Sequence, residues 1–160
     1  MAVLVDGSTR VIVQGITGKS GILQTKSLLD YGTSVVAGVT PGKGGAVVEG
    51  VPVFDSVLDA MKSVSPNAVI SFVPPMFAKD AAIEAMEVGI KLLVLTMEGI
   101  PKHDVLDILS YAQGRGVRAQ LALARRDDAT LRVCSWRGRW AWSPRAALSP
   151  MKSARRLQTQ

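Results

Sequence analysis

Cysteine is almost absent from this sequence, since Cys134 is the only one in 160 residues. A single thiol excludes an internal disulfide and a zinc site built on cysteines, and we expect the chain to work in a reducing cytoplasm. Uninterrupted apolar runs fall well short of the roughly eighteen residues that a membrane-spanning helix needs. The first ten residues also lack the basic and then apolar segments of a secretory signal.

Acidic residues are scarce in the last quarter of the chain. Residues 121–160 contain nine basic and two acidic residues, a net charge of +7, whereas residues 1–120 contain ten basic and eleven acidic residues, a net charge of −1. The composition changes at the same point, because 27 of the 28 valines and isoleucines precede it and all three tryptophans follow it. We therefore expect one folded domain over 1–120 and a divergent basic tail over 121–160, irregular and disordered.

The tail has three interpretations. It could be a basic, tryptophan-containing segment that binds nucleic acid or anionic lipid. It could be a disordered extension without a function. It could also be the product of a shifted reading frame, which the abruptness of the change favours.

Residues 1–120 alternate between short β-branched runs and amphipathic segments. The pattern predicts strands over 9–15, 34–39, 67–73, 91–96 and 117–121, a short extended piece over 51–54, and helices over 21–32, 56–64, 78–89 and 103–116, with Ser56 as an N-cap. Apolar runs with little alternation are typical of strands covered on both faces. Repeated strand–helix units therefore predict an α/β fold with a doubly wound parallel sheet, in which ligands bind beyond the carboxyl ends of the strands.

The first predicted strand ends in a turn with glycines at 15, 18 and 21. It is not a Walker loop, because the required first glycine would be at position 13, which is valine. Glycines between a strand and a helix N-terminus can still cradle a phosphate, with Thr17, Lys19 and Ser20 as further donors. The alternative is a tight turn that uses glycine for packing alone.

The segment after the second strand, "GVTPGKGG" (38–45), contains no acidic residue. NAD-binding proteins place a carboxylate there for the ribose hydroxyls. Lys43 instead favours a ligand with an additional phosphate on its ribose. NADP and coenzyme A both meet that description.

Five motifs in one order resemble a known family: "QGITGKSG" (14–21), "VTPGKGG" (39–45), "VPVFDSV" (51–57), "FVPPMFAKDA" (72–81) and "EGIP" (98–101). Together they closely resemble the N-terminal, Rossmann-like CoA-binding domain of succinyl-CoA synthetase α-subunits, over about residues 1–118. The resemblance implies a coenzyme A site. It also implies a β-subunit partner and a place in the tricarboxylic acid cycle.

The resemblance assigns the site residues. Gly15, Thr17, Gly18, Lys19 and Ser20 would hold the phosphates, and Lys43 would lie on the nucleotide side. Pro41, Val73 and Pro74 would form apolar walls, and Thr96, Met97 and Glu98 would line the pantetheine path. Met97 replaces a threonine of the family and so removes a hydroxyl.

The chain departs from the family after residue 118. The transiently phosphorylated histidine of the family lies in a second domain beyond residue 160, and "AQLALARRDD" stands where an Asn-Cys-Pro-Gly segment is expected. We therefore expect a truncated module that binds coenzyme A but does not catalyse ligation alone. No catalytic residue or metal ligand is assigned, and the choice between ADP and GDP belongs to the β-subunit in this family.

Two single residues receive plain interpretations. His103 is predicted to lie on the surface at a helix start, and nothing marks Cys134 as a nucleophile. Two other functions remain open: a small NADP-dependent oxidoreductase, for which no catalytic constellation is found, and a nucleic-acid binder that acts through the tail.

Overall fold

The computed structural model describes residues 7–123 and 132–135, and side chains as far as residue 121. The elements follow one another as β1 (Val11–Gln14), α1 (Lys19–Asp30), β2 (Val35–Val39), β3 (Val47–Val48), β4 (Val51–Phe54), α2 (Val57–Val64), β5 (Ala68–Ser71), a 3-10 turn (Pro75–Phe77), α3 (Ala78–Glu87), β6 (Leu92–Leu95), α4 (Lys102–Arg115), β7 (Arg118–Leu123) and β8 (Arg132–Ser135).

The strands form one sheet in the order β3-β4-β2-β1-β5-β6-β7-β8. Every pair from β4 to β7 is parallel, whereas β3 and β8 pair antiparallel at the two edges. The chain starts in the middle, moves outward to β4 and returns to β5, so the strand order reverses between β1 and β5. This is the doubly wound arrangement of Rossmann-like folds, and it confirms the predicted fold class.

The two antiparallel edge strands were not predicted. Strand β3 has two residues, and Glu49 and Gly50 connect it to β4 with φ angles of 49° and 78°. Two successive left-handed residues are typical of a two-residue hairpin. Strand β8 lies within the segment for which the sequence indicated no strand. The disorder expected for 121–160 stays a prediction, since most of that segment lies outside the described residues.

The core is divided between the two faces of the sheet. On one face, Ile12, Val69 and Leu93 pack with Ala82 of α3 and Ile108 of α4. A second cluster contains the buried residues Val13, Ile16, Val51 and Val53, and Leu28 and Leu29 of α1 pack against it. Helices therefore cover both faces of the sheet, as right-handed crossovers require. This explains why the strands are apolar with little alternation, as the sequence analysis predicted.

An ion pair joins α3 to α4. Lys79 Nζ lies 2.6 Å from Asp107 Oδ2 and 3.7 Å from Asp104 Oδ1. The hydrogen bond to Asp107 raises the pKa of Lys79. Among the helices of the described residues, none is long and apolar enough to span a membrane.

Candidate functional site

The residues predicted to bind a ligand lie at the carboxyl ends of four adjacent strands. Residues 15–20 follow β1, Pro41 and Lys43 follow β2, Val73 and Pro74 follow β5, and residues 96–98 follow β6. These strands are neighbours in the order β2-β1-β5-β6. The fold therefore brings segments that are distant in sequence together at the carboxyl end of the sheet, where the strand order reverses.

The glycine turn after β1 is held by main-chain contacts. Gly15 has a φ of +75° and donates its N–H to Val39 O over 2.8 Å, while Gly18 donates to Gly15 O over 3.0 Å. A Cβ at Gly15 would lie 3.2 Å from the carbonyl of Phe72, and a Cβ at Gly21 would strike the carbonyl oxygen of Gly15. Packing therefore requires glycine at position 21, and the positive φ together with the close approach of Phe72 favours it at position 15.

Within the described residues, the N-terminus of α1 has no side-chain cap. Its N-cap residue, Gly18, has no side chain to accept from the first N–H groups, and the first turn holds no acidic residue. Lys19 and Ser20, which open the helix, are exposed. Such a helix start attracts an anion through its N–H groups and the helix dipole.

The loops after β1 and β2 are joined by a threonine pair. Thr17 Oγ1 donates to Thr40 Oγ1 over 3.3 Å, and Thr40 Oγ1 donates to Val39 O over 2.9 Å. This chain of hydrogen bonds fixes the glycine turn against the loop that carries Lys43. Lys43 is exposed and, like Lys19, forms no ion pair within the part of the chain that the structure describes.

The loops after β5 and β6 are less polar. Thr96 donates to Ser71 O through both its N–H and its hydroxyl, over 3.3 and 2.7 Å. Met97 packs against the main core, whereas Pro74 and Glu98 are exposed and Val73 is half-buried. The Thr96 hydroxyl thus joins two strand ends, which the sequence did not indicate.

Two buried polar side chains that sequence reasoning missed also lie at the carboxyl end of the sheet. Gln14 and Ser71 are the last residues of β1 and β5 and are paired in register. They are 2% and 0% exposed. Gln14 Nε2 donates to Ala81 O over 3.0 Å, whereas Gln14 Oε1 and Ser71 Oγ have no partner among the described residues. The available signal was a polar residue ending each apolar run, "VIVQ" and "AVIS".

His103 lies outside this cluster. It is exposed and is the second residue of α4, which confirms the surface interpretation. Within residues 7–123 and 132–135, no group of three or more histidine, cysteine or acidic side chains is arranged to hold a metal ion.

The CoA binding domain family matches residues 6–99. The chain belongs to this family. Among curated proteins it is 56% identical, over 106 residues, to the succinate–CoA ligase [ADP-forming] α-subunit 2 of Archaeoglobus fulgidus. It is 52% identical over 111 residues to the corresponding α-subunit of Aquifex aeolicus. The matches cover 66% and 69% of this chain but only 37% and 36% of those proteins.

Solved structures agree on the fold. A conserved hypothetical protein from Pyrococcus furiosus superposes with a TM-score of 0.57 at 25% identity, over 72% of this chain and 95% of its own. The WlbA dehydrogenase of Thermus thermophilus, in complex with NAD and UDP-GlcNAcA, gives a TM-score of 0.55 at 13% identity, over 72% of this chain and 41% of its own. At that identity the second likeness shows the fold alone.

Proposed function

We propose that the chain binds coenzyme A at the carboxyl ends of strands β2, β1, β5 and β6. The diphosphate would lie at the start of α1 and the ribose phosphate at Lys43. One observation carries the proposal: a helix N-terminus without a side-chain cap and a lysine without an ion pair, both judged within the described residues, lie on loops that a hydrogen bond joins directly. Membership in the CoA-binding domain family supports coenzyme A over other phosphorylated nucleotides.

The residues present suit such a ligand. Glycine at positions 15 and 18 allows the backbone to approach the phosphates, and Thr17, Lys19 and Ser20 offer further donors. Lys43 follows the second parallel strand, where Rossmann-like proteins recognise the adenosine ribose. A lysine there acts as a point charge for a phosphate.

The apolar part of the ligand would use the other two loops. Pro41, Val73 and Pro74 are proposed as walls, and Thr96, Met97 and Glu98 as the lining of the pantetheine path. The Thr96 hydroxyl already donates to Ser71 O, so this segment offers the ligand a fixed backbone and the exposed Glu98.

The wider activity is also a proposal. The chain spans about 37% of the length of the curated relatives it matches, and their name suggests a succinate–CoA ligase α-subunit. We propose that ligation of succinate to coenzyme A, in the tricarboxylic acid cycle, requires a phosphohistidine domain and a β-subunit in addition to this module. The cytoplasm remains the expected compartment.

The test is thermal unfolding of the purified chain with coenzyme A, dephospho-CoA, NADP or no ligand. A ligand that binds only the folded state at a hundred times its Kd stabilises it by about 2.7 kcal/mol, which raises the midpoint by several degrees. We expect the largest shift with coenzyme A and a smaller one with dephospho-CoA. Lys43→Met should reduce the difference between these two, because it removes the contact to the ribose phosphate.

Lys26→Met is the matched control, since Lys26 is an exposed lysine of α1 five residues beyond Gly21. It should leave both shifts unchanged. A larger shift with NADP than with coenzyme A would replace the proposal with an oxidoreductase-like site. A cooperative transition that no ligand moves would refute it.

A further inference from the structure

The loop that carries Lys43 is tied to strand β4 at two points. Thr40 donates its N–H to Phe54 O over 3.0 Å, and Gly45 donates to Val53 O over 2.9 Å. Within the loop, Lys43 N donates to Thr40 O over 3.1 Å and closes a turn. These bonds fix the ends of the loop relative to the sheet.

The middle of the loop is held by a side chain. Gly44 donates its N–H to Oδ1 of Asp55 over 2.8 Å, and Asp55 directly follows β4. The contact is so close that a Cβ at Gly44 would strike the Asp55 carboxylate, and its three nearest atoms would all belong to that carboxylate. Asp55 thus secures the residue next to Lys43.

The Lys43 side chain has no ion-pair partner of its own among the described residues. The region that its ammonium group can reach is therefore set by the loop backbone. A loop that is already ordered loses less entropy when a ligand binds. We infer that Asp55 is a positioning residue: by holding Gly44, it keeps Lys43 where it contacts the ribose phosphate, and so sets the preference for coenzyme A over dephospho-CoA.

This inference rests on the proposed function and adds a residue outside the proposed contacts. Asp55 is itself an anion beside an anion-binding loop, so its charge would weaken phosphate binding. Its contribution must come from the hydrogen bond to Gly44. An asparagine keeps the acceptor oxygen without the charge, whereas an alanine removes both.

Calorimetric titration of the full chain with coenzyme A and with dephospho-CoA tests the assignment. For Asp55→Ala we expect the affinity for coenzyme A to fall about tenfold, as for the loss of a charged hydrogen bond, and that for dephospho-CoA to change less than about twofold. Asp55→Asn should retain both affinities within about threefold. Asp30→Ala, which removes an exposed carboxylate from the last position of α1, should change neither.

A double-mutant cycle with Gly44 distinguishes the loss of the Gly44–Asp55 contact from a general loss of folding. Gly44→Ala alone should lower the affinity for coenzyme A, because its Cβ displaces the Asp55 carboxylate. Added to Asp55→Ala, the same change should cost less than about twofold, because the obstacle has gone. Thermal unfolding without ligand records whether each variant is folded.

Three outcomes would overturn the inference. The first is that Asp55→Ala loses affinity equally for coenzyme A and dephospho-CoA. The second is that Asp55→Asn behaves like Asp55→Ala. Either result would leave the proposed function standing. Failure of the unaltered chain to bind coenzyme A would overturn both.

Discussion

Helices α1 and α2 begin in opposite ways. At α2, Ser56 accepts a hydrogen bond from Asp59 N over 3.1 Å, and Val57 N donates to Glu84 Oε1 over 2.8 Å. At α1, the N-cap is Gly18, and no side chain in the described part of the chain caps the helix. Within that part, side chains satisfy the N-terminus of α2 but not that of α1.

The third residue of each helix repeats this contrast. It is aspartate in α2, α3 and α4, at Asp59, Asp80 and Asp104, but it is Gly21 in α1. A carboxylate in the first turn interacts favourably with the helix dipole. A side chain at Gly21 would strike the Gly15 carbonyl. The packing that forms the glycine turn therefore also excludes a carboxylate from this position, so the first turn of α1 stays available for the phosphates of the proposed ligand.

The largest expected effect comes from adding a side chain at Gly21. Gly21→Ala forces a Cβ against the carbonyl of Gly15. We expect this to lower the free energy of unfolding by about 1–3 kcal/mol, as for overpacked cores. Binding of coenzyme A should fall below detection because the turn must move. Urea unfolding and calorimetric titration measure the two effects.

Gly114→Ala is the matched control for this change. Gly114 lies inside α4 and a Cβ there would meet nothing within 4 Å. The substitution should stabilise the chain by at most about 1 kcal/mol, because Gly114 is the penultimate residue of α4 and the propensity of alanine acts in full only in a helix interior. If Gly21→Ala were as well tolerated, the close packing of the turn would be disproved.

Most elements of the fold were predictable from the sequence because local rules and packing agree there. Strand β1 is an apolar run that is followed by Gly15, α2 begins after the predicted cap Ser56, and α4 ends at Gly116 in the left-handed conformation. Strand β3 was missed because two residues carry no detectable period. It exists because the two-residue turn at Glu49 and Gly50 folds it back against β4.

The site was predictable to the level of segments. Motifs placed Thr17, Lys43 and Thr96 at strand ends, and the fold brought those ends together. The contacts between segments were not predictable, since the hydrogen bonds of Thr96 to Ser71 and of Gly44 to Asp55 depend on the register of the sheet. Sequence spacing does not contain that register.

A smaller effect is expected when α1 receives the carboxylate that the other helices have. Ser20→Asp places an acid in the first turn, at an exposed position. It should stabilise the helix by about 0.3–1 kcal/mol. It should also weaken coenzyme A binding about tenfold, because the new charge repels the phosphates and competes for the N–H groups.

Ser27→Asp makes the same charge change in the last turns of α1, where Ser27 is exposed and its hydroxyl donates to Leu23 O. An acid near a helix C-terminus is unfavourable, so stability should fall slightly and coenzyme A binding should not change. Titration of both variants at two salt concentrations separates local from long-range charge effects. Equal losses of affinity in the two variants would argue against a phosphate at the start of α1.

The smallest effect concerns the capped helix and depends on pH. The hydrogen bond from Ser56 and then the contact with Lys62 lower the pKa of Asp59. The folded chain therefore keeps this carboxylate ionised at a pH where the unfolded chain, with a pKa of about 3.9, takes up a proton. The stability that Asp59 contributes is present above that value and is lost as the pH falls below it.

Asp59→Asn should accordingly lower the free energy of unfolding at pH 7 and make progressively less difference towards pH 3. The difference stays small because Asp59 is exposed and solvent screens its charge. Urea unfolding followed by far-UV circular dichroism at pH 7, 5, 4 and 3 measures it, and a constant difference across this range would contradict the lowered pKa. Coenzyme A affinity at pH 7 should be unchanged in this variant, since Ser56 and Glu84 already accept hydrogen bonds from the first turn of α2 and the proposed site lies at α1.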